Sequence, residues 1–212
     1  DTFTFNATSQ VGGSALNTGL AGTVILQQST AARTIGIAGG TGSLQLSQAT
    51  LDTVRATNVR LGNSASGNIN SAAWTLGANF AASGVLTLDT AGTITQSGAI
   101  NLATAGAGLI LRDASSVTLN TNNVFSNIAA SVNGPLSITN AANISLTVTS
   151  LTDDLGTVNG ITTTGSNNIS LTNSGSGNIN VNSNVTSGSG VISLTAGTNL
   201  VINNGNISTT GN

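Results

Sequence analysis

The side chains that could carry chemistry in this chain are few. Every acid is Asp and every base is Arg, and the sequence holds no His, Cys, Lys, Glu or Tyr. Asp153 and Asp154 are the one adjacent acidic pair, and Trp74 is the one indole. Paired carboxylates can exchange protons or ligate a cation, and an aromatic face can stack on a flat ligand. Trp74, Asp153 and Asp154 are therefore the candidate ligand contacts, although a single Trp is more typical of a side chain that fills a wide part of the core or covers a gap where the repeat is irregular.

The same inventory argues against catalysis. The usual bases, nucleophiles and proton donors other than Asp are missing. Adjacent residues on a strand point to opposite faces, so Asp153–Asp154 is more typical of a solvated turn than of a catalytic dyad. The Gly-Gly-x-Gly-x-Asp calcium repeat is also absent. The sequence predicts a protein that is not an enzyme, with no catalytic residue, no cofactor and no metal.

Charge and hydropathy also narrow the classes of partner that this chain could bind. Four scattered Arg residues cannot form the basic patch that nucleic acid requires, and no apolar run is long enough for a membrane helix. We therefore expect neither nucleic-acid binding nor membrane insertion. Arg112 and Asp113 are neighbours in sequence and are expected to form a local surface pair of little energetic value.

Composition indicates a folded, all-β chain. Disorder usually combines low hydrophobicity with high net charge, whereas this chain has a mean hydropathy of +0.24 and a formal net charge of -2. Without Lys or Glu, the solvated faces of helices would lack their common residues. The segment from Leu51 to Leu61 is the one place where a helix competes, and its Val and Thr residues favour a strand there.

Short apolar-alternating runs recur at a displacement of about 23 residues, a period typical of repeat architectures. Ile169 and Leu171 return as Ile192 and Leu194, and the same step backwards reaches Leu146 and Val148. A second pair of runs shows the same step. Each run is a strand with one buried face. The predicted core ladder is Leu86, Leu88, Leu109, Leu111, Leu146, Val148, Ile169, Leu171, Ile192 and Leu194.

A constant displacement is expected of a solenoid, because each coil returns the chain to the same angular position. The prediction is an all-β, right-handed parallel β-helix (β-solenoid) with roughly 22–24 residues per coil. A left-handed solenoid of hexapeptides is the nearest competitor, but no six-residue apolar period is visible. Residues 1–212 are expected to form a single domain, less regular at 1–80, and to be a segment or subunit of something longer.

Polar residues should then form the corners and outer columns of the solenoid. Stacked Asn and Thr side chains can hydrogen-bond along a column, whereas stacked charges repel. An Asn-Ile-Ser or Asn-Ile-Asn tripeptide begins at Asn68, Asn143, Asn168, Asn178 and Asn206. Asn tolerates a left-handed backbone, which suits corners. The stretch from Leu151 to Gly160 is predicted to be a loop or irregular corner.

The segment from Ser189 to Leu200, SGVISLTAGTNL, resembles the repeats of filamentous-haemagglutinin-like exoproteins and related autotransporter passengers. These are large bacterial surface adhesins. The resemblance is strongest over residues 143–212 and weaker over residues 84–119. It implies a right-handed parallel β-helix, secretion to the bacterial cell surface, and a role in adhesion, filament formation or biofilm.

Three functions follow as expectations. The first is a structural unit of an extracellular filament whose uncapped ends stack on other copies or continue in a longer chain. The second is the stalk of a secreted adhesin that binds carbohydrate or a host-surface protein. The third is ice binding, which needs regular Thr-x-Thr columns. The Thr-x-Thr pairs begin at unequal intervals, at Thr2, Thr93, Thr147 and Thr162.

We expect trypsin to digest the folded chain slowly. The chain has no Lys, and strand backbones tied into ladders resist the local opening that proteolysis requires. Gel electrophoresis of a digestion time course checks this prediction. Rapid cleavage at Arg55 or Arg60 would show that their segment is an accessible loop.

Overall fold

A computed structural model describes residues 16–17, 22–76, 80–102, 106–141 and 144–211. Within these ranges the chain is nearly all β structure, which confirms the predicted class. In chain order the elements are β1 Leu16–Asn17, β2 Thr23–Leu26, β3 Ile35–Ile37, β4 Leu44–Leu46, α1 Gln48–Leu51, β5 Val54–Asn63, β6 Ile69–Ser71, β7 Trp74–Leu76, β8 Phe80–Thr90, β9 Thr93–Gln96, β10 Ile100–Leu102, β11 Gly108–Arg112, β12 Ser116–Asn123, β13 Asn127–Val132, β14 Leu136–Ala141, β15 Leu146–Val148, β16 Ser150–Asp153, β17 Gly156–Asn159, β18 Ile161–Thr163, β19 Ile169–Ser174, β20 Ile179–Val181, β21 Val185–Ser187, β22 Ile192–Ala196, β23 Leu200–Ile202 and β24 Ile207–Thr209.

Parallel ladders join strands from successive passes of the chain, and we call each pass a coil. One sheet has twelve strands, and its main path runs β1-β5-β8-β11-β13-β15-β20-β23. A second sheet has eight strands in the order β22-β19-β14-β12-β9-β6-β3-β4. A short parallel pair, β7 with β10, forms a further side. These long parallel sheets agree with a solenoid-like architecture.

The predicted core ladder faces the interior. Leu86, Leu88, Leu109, Leu111, Leu146, Val148, Ile169 and Leu171 are all 0% exposed. Ile192 and Leu194 lie in the last coil and are only partly buried against the same core. Alternation produces this arrangement, because every second side chain of a strand points inwards.

The predicted displacement is present at two positions of the ladder. Leu109 lies beside Leu86 in a parallel ladder, and Ile192 lies beside Ile169. The backward step to Leu146 and Val148 is wrong, because Ile169 stacks on Leu136, which lies earlier in the chain than that step reaches. Leu146 and Val148 instead stack beneath Ile179 and Val181 in the other large sheet.

An inserted hairpin explains this change. Ile128 of β13 pairs with Val148, which precedes the hairpin, whereas Ala130 of the same strand pairs with Ile161, which follows it. Strands β16 and β17 lie between Val148 and Ile161 and form an antiparallel pair. The inserted residues lengthen this coil, so that Ile169 lies 33 positions after its partner Leu136. A single constant displacement therefore does not describe this chain.

The segment from Leu51 to Leu61 is a strand over most of its length, as predicted. Helix α1 ends at Leu51, and β5 begins at Val54. Ser47 caps the helix by accepting a hydrogen bond from the Thr50 backbone N–H. Strand β5 then enters the twelve-stranded sheet between β2 and β8.

The two ends of the stack differ. The terminal coil consists of β22, β23 and β24, which pair on one side only, with β19, β20 and β21. Its inward residues Leu200 and Ile202 are 43% and 54% exposed. At the end formed by β4 and α1, Leu44, Leu46 and Leu51 are buried. The terminal coil therefore exposes apolar side chains, whereas the described end formed by β4 and α1 buries them.

Corner Asn residues hydrogen-bond from one coil to the next. The Oδ1 atoms of Asn68, Asn168 and Asn178 accept hydrogen bonds from the backbone N–H groups of Thr93, Val191 and Asn199, at 3.0, 2.8 and 3.1 Å. The described non-glycine residues with positive φ are Ala32, Ala38, Asp113 and Asn122. The corner role of Asn68, Asn168 and Asn178 thus comes from amide hydrogen bonding, and the expected left-handed backbone is wrong. Asn143 lies outside the described residues.

A second group of Asn residues lies inside the core. Asn123, Asn140 and Asn173 are fully buried and stacked in register. Asn140 Nδ2 donates to Asn173 Oδ1 at 3.2 Å, and Asn140 Oδ1 accepts from the Phe125 backbone N–H at 3.1 Å. The sequence carries a signal for this ladder. In the runs LSITN and ISLTN the Asn occupies the next inward position of the alternation.

We expect Asn140→Ala to lower the free energy of unfolding by about 1–3 kcal/mol. The substitution leaves a buried backbone N–H of Phe125 without its acceptor. Asn199→Ala is the matched control, because its side chain is exposed in the terminal coil. Urea denaturation followed by circular dichroism measures both variants. Equal effects at the two positions would contradict a stabilising internal ladder.

Candidate functional site

The clearest cluster of charged side chains surrounds the hairpin formed by β16 and β17. The predicted loop from Leu151 to Gly160 is instead part of this hairpin, in which Ser150 pairs with Asn159 and Asp153 with Gly156. Gly156 has φ +110°, which favours glycine at this tight turn. Thr152 and Thr157 also share a hydroxyl hydrogen bond of 2.8 Å across the pair. Local turn chemistry thus makes a hairpin here.

The hairpin lies on the outer face of the twelve-stranded sheet. Val158 and Leu151 pack against Val85, Ile110 and Ala129, which point away from the main core. A Cβ atom added to Gly108 would lie 2.7 Å from Leu151 Cδ1, so this glycine makes room for the leucine. Strands β8, β11 and β13 are consequently covered on both faces where the hairpin crosses them.

Asp153 binds two of these earlier strands. Its Oδ2 accepts from Arg112 Nε at 2.9 Å and from Thr87 Oγ1 at 2.8 Å, and its Oδ1 accepts from Arg112 Nη2 at 2.8 Å. Burial alone would raise the pKa of Asp153, but the hydrogen bonds from Arg112 and Thr87 outweigh it and lower the pKa below its ordinary value. The expected surface pair of Arg112 with Asp113 is therefore wrong, since Arg112 binds Asp153.

Asp154 reaches a different strand. Arg60 Nε lies 3.1 Å from each carboxylate oxygen of Asp154, and Arg60 Nη2 lies 3.0 Å from Oδ2. Arg60 Nη1 also donates to the Gly62 carbonyl at 2.7 Å. Such a fork-like guanidinium–carboxylate contact fixes orientation as well as charge. The two adjacent aspartates thus bind two different arginines on two different coils.

Asp89 lies beneath this cluster, and few polar contacts compensate for the burial of its carboxylate. Its side chain is 1% exposed, its Oδ2 is 3.9 Å from Arg60 Nη1, and its Oδ1 has no hydrogen-bond partner among the described residues. Burial, reinforced by the charge of Asp113, raises the pKa of Asp89 to about 6, against the opposing charges of Arg60 and Arg112. Asp89 is therefore the group in the cluster whose charge changes near neutral pH.

Trp74 lies elsewhere. It begins β7, is 3% exposed, and stacks beside Ile100. The structure brings Asp153 and Asp154 together in the hairpin but leaves Trp74 in the core. Sequence reasoning missed Arg60, Thr87 and Arg112 as partners of the hairpin, and it missed the burial of Asp89. One signal was present, because the continuous apolar run Leu109-Ile110-Leu111 is typical of a strand buried on both faces.

The Thr-x-Thr pairs do not share one face. The pair in β9 belongs to the eight-stranded sheet, whereas Thr147 and Thr162 belong to strands of the twelve-stranded sheet. The pair at Thr2 lies outside the described residues. The described pairs therefore do not form the single column that ice binding requires.

A shallow cleft of about 280 Å³ lies on the other large sheet. Its polar side chains are already engaged, since Asn70 donates to the Thr41 carbonyl at 2.7 Å and accepts from Thr95 Oγ1 at 2.9 Å.

In the described ranges, no three His, Cys, Asp or Glu side chains are grouped to hold a metal ion. No described helix is long and apolar enough to span a membrane.

The cluster can therefore hold coils together but offers little for catalysis. The carboxylates of Asp153 and Asp154 face guanidinium groups, and Asp89 is enclosed. Comparisons with family models, curated proteins and solved structures returned no match for this chain.

We expect the folded chain to lose stability as the pH rises from about 4 to 6. In this window the unfolded Asp89, with an ordinary pKa of 3.8, has lost its proton, whereas the folded Asp89 retains it up to a pKa of about 6. The folded state then binds more protons, so unfolding becomes easier with rising pH, by about 2–3 kcal/mol in total. The depressed pKa of Asp153 acts in the opposite direction, but only as the pH falls below 3.8.

Denaturation at several pH values between 4.5 and 7.5 measures this effect. Asp89→Asn should flatten the profile, because the amide does not titrate. Identical slopes for the wild type and Asp89→Asn would assign the pH dependence to another group.

Proposed function

We propose that this chain is a structural, non-catalytic section of a bacterial extracellular filament or surface fibre. In this proposal it is a right-handed parallel β-helix whose basic coil has roughly 22–24 residues and which grows by stacking further coils end to end. The parallel ladders and the equal displacement of the pairs Leu86–Leu109 and Ile169–Ile192 support this form. The secreted, cell-surface location and the role in adhesion or biofilm rest on the resemblance carried by residues 189–200.

The uncovered terminal coil is the observation that carries the proposal. Strands β22, β23 and β24 have one paired edge each, and Leu200 and Ile202 are 43% and 54% exposed although they point along the core. Unpaired strand edges template pairing with another strand. A further coil would satisfy these backbone groups and bury these side chains together.

The terminal coil also repeats the corner contact that joins earlier coils. Asn184 precedes β21 and accepts a hydrogen bond of 2.9 Å from the backbone N–H of Asn206, which precedes β24. Asn206 occupies the equivalent corner position one coil later. Its amide oxygen can accept the corresponding N–H of an added coil, so the next coil would be guided into the same register.

Charge does not oppose this stacking. Residues 155–212 contain no Asp, Glu, Lys or Arg. Natural edge strands are commonly protected from pairing by charged side chains, by Pro or by bulges. The added coil can belong to a second copy of the chain or to the same polypeptide, and either one continues the rod.

The adhesin alternative assigns ligand contacts to Trp74, Asp153 and Asp154. Trp74 and Asp153 are enclosed, and Asp154 is bound to Arg60, so no carbohydrate contact is proposed at these residues. Binding of carbohydrate or a host-surface protein by other loops stays a prediction of the family resemblance.

We expect the purified chain to self-associate through the terminal coil. Leu200→Asp combined with Ile202→Asp should abolish association, because two charges would be buried at the junction without partners. Leu155→Asp is the control, since Leu155 is an exposed leucine at the hairpin turn, remote in the stack from β23. Light scattering across a concentration series and electron microscopy measure the outcome. A wild-type chain that stays monomeric at all concentrations would contradict stacking.

A further inference from the structure

The hairpin makes contacts that a simple solenoid lacks. In a solenoid each coil touches only its neighbours, and the corner bridges at Asn68, Asn168 and Asn178 join residues 21 to 25 positions apart. Asp154 instead binds Arg60 across 94 positions, and Asp153 binds Thr87 across 66. The hairpin therefore connects coils that are not adjacent.

The length of the hairpin matches the distance across the coils that it contacts. From β18 back to β5 the path β13-β11-β8-β5 covers four strand spacings, or about 19 Å. The backbone of β16 with the step to Asp154 covers four residue spacings, or about 13 Å, and the long side chain of Arg60 covers the remainder. The hairpin thus crosses the outer face of four earlier coils.

Each crossed coil supplies a contact. Strand β13 supplies Ala129, and β11 supplies Ile110 and Arg112. Strand β8 supplies Val85 and Thr87 to the same surface, and β5 supplies Arg60. Opening any one of these coils would break its contact with the hairpin as well as its ladder. The coils after Thr163 pair with their neighbours through β19 to β24 and lie beyond this surface.

We propose that the hairpin is a strap that makes residues 54–163 open as one unit, whereas the coils of residues 169–211 open singly from the terminal coil inwards. In a repeat protein without such a brace, stability is a sum of coil and neighbour terms, and ends fray progressively. With the strap, the free energy of local opening does not fall gradually from coil to coil. It changes abruptly between Thr163 and Ile169. The proposal does not depend on fibre formation.

The strap has a mechanical consequence. The part of the rod nearest β5 resists local opening, while the last two coils can separate and pair again. The braced coils and the coils of residues 169–211 therefore differ in their resistance to opening. The labile coils are those that present the unpaired edges of β22, β23 and β24.

Hydrogen exchange measured by mass spectrometry tests the strap on the whole chain, in a dilute sample that light scattering shows to be monomeric, so that no stacked copy protects the terminal coil. In the wild type, the amides of β5, β8, β11 and β13 should exchange with one common slow rate, and those of β22 to β24 should exchange much faster. A smooth gradient from coil to coil, or a single rate over all coils, would overturn the proposal. This measurement needs no substitution, so it stays decisive if a variant does not fold.

Two variants remove the strap by different means. Asp154→Asn breaks the ion pair with Arg60, and Leu151→Ala removes an apolar contact with the surface formed by Val85, Ile110 and Ala129. Both should accelerate exchange in β5 and β8 roughly tenfold or more and leave β22 to β24 unchanged. Asp52→Asn is the control, because it removes the same charge from an exposed site. Equal acceleration in all coils, or none in β5 and β8, would show that the hairpin does not couple the opening of the coils that it crosses.

Discussion

Parallel stacking of successive coils is the constraint on which this structure depends. Each strand lies about 4.8 Å from its counterpart in the next coil, so like positions form continuous columns. Apolar columns such as Leu86–Leu109 build the core, and the Asn140–Asn173 column exchanges amide hydrogen bonds within it. A column of like charges would repel itself. The charged content of 5% is a consequence of that geometry.

Charges are placed where the stack can pair them. Asp89 lies in register beside Arg112, so that neighbouring positions of this column have opposite signs. The hairpin then adds Asp153 above Arg112 and Asp154 above Arg60. Buried ion pairs contribute modestly to net stability but are costly to break one partner at a time. Their main effect here is to fix where the hairpin sits, while Asp89 retains the unfavourable burial that raises its pKa.

Particular residues show how far sequence reasoning reached. The pairs Leu86–Leu109 and Ile169–Ile192 could be predicted because no insertion lies between their strands. Leu146 was assigned to the wrong partner because the hairpin lengthens its coil. The candidate site was recognised only in part. Asp153 and Asp154 stood out because they are adjacent acids. The sequence could not reveal that the guanidinium groups of two arginines would bind their carboxylates.

The sequence by itself determined the all-β class, the inward and outward faces of most strands, and the small set of groups that could titrate. These properties are local, because alternation has a period of two residues and composition needs no partner. The tertiary structure decided which coil stacks on which, and that the two adjacent aspartates bind arginines of two different coils. The arginine partners of those aspartates lie 41 and 94 positions away in the chain, and only the path of the hairpin across the sheet brings them within hydrogen-bonding distance.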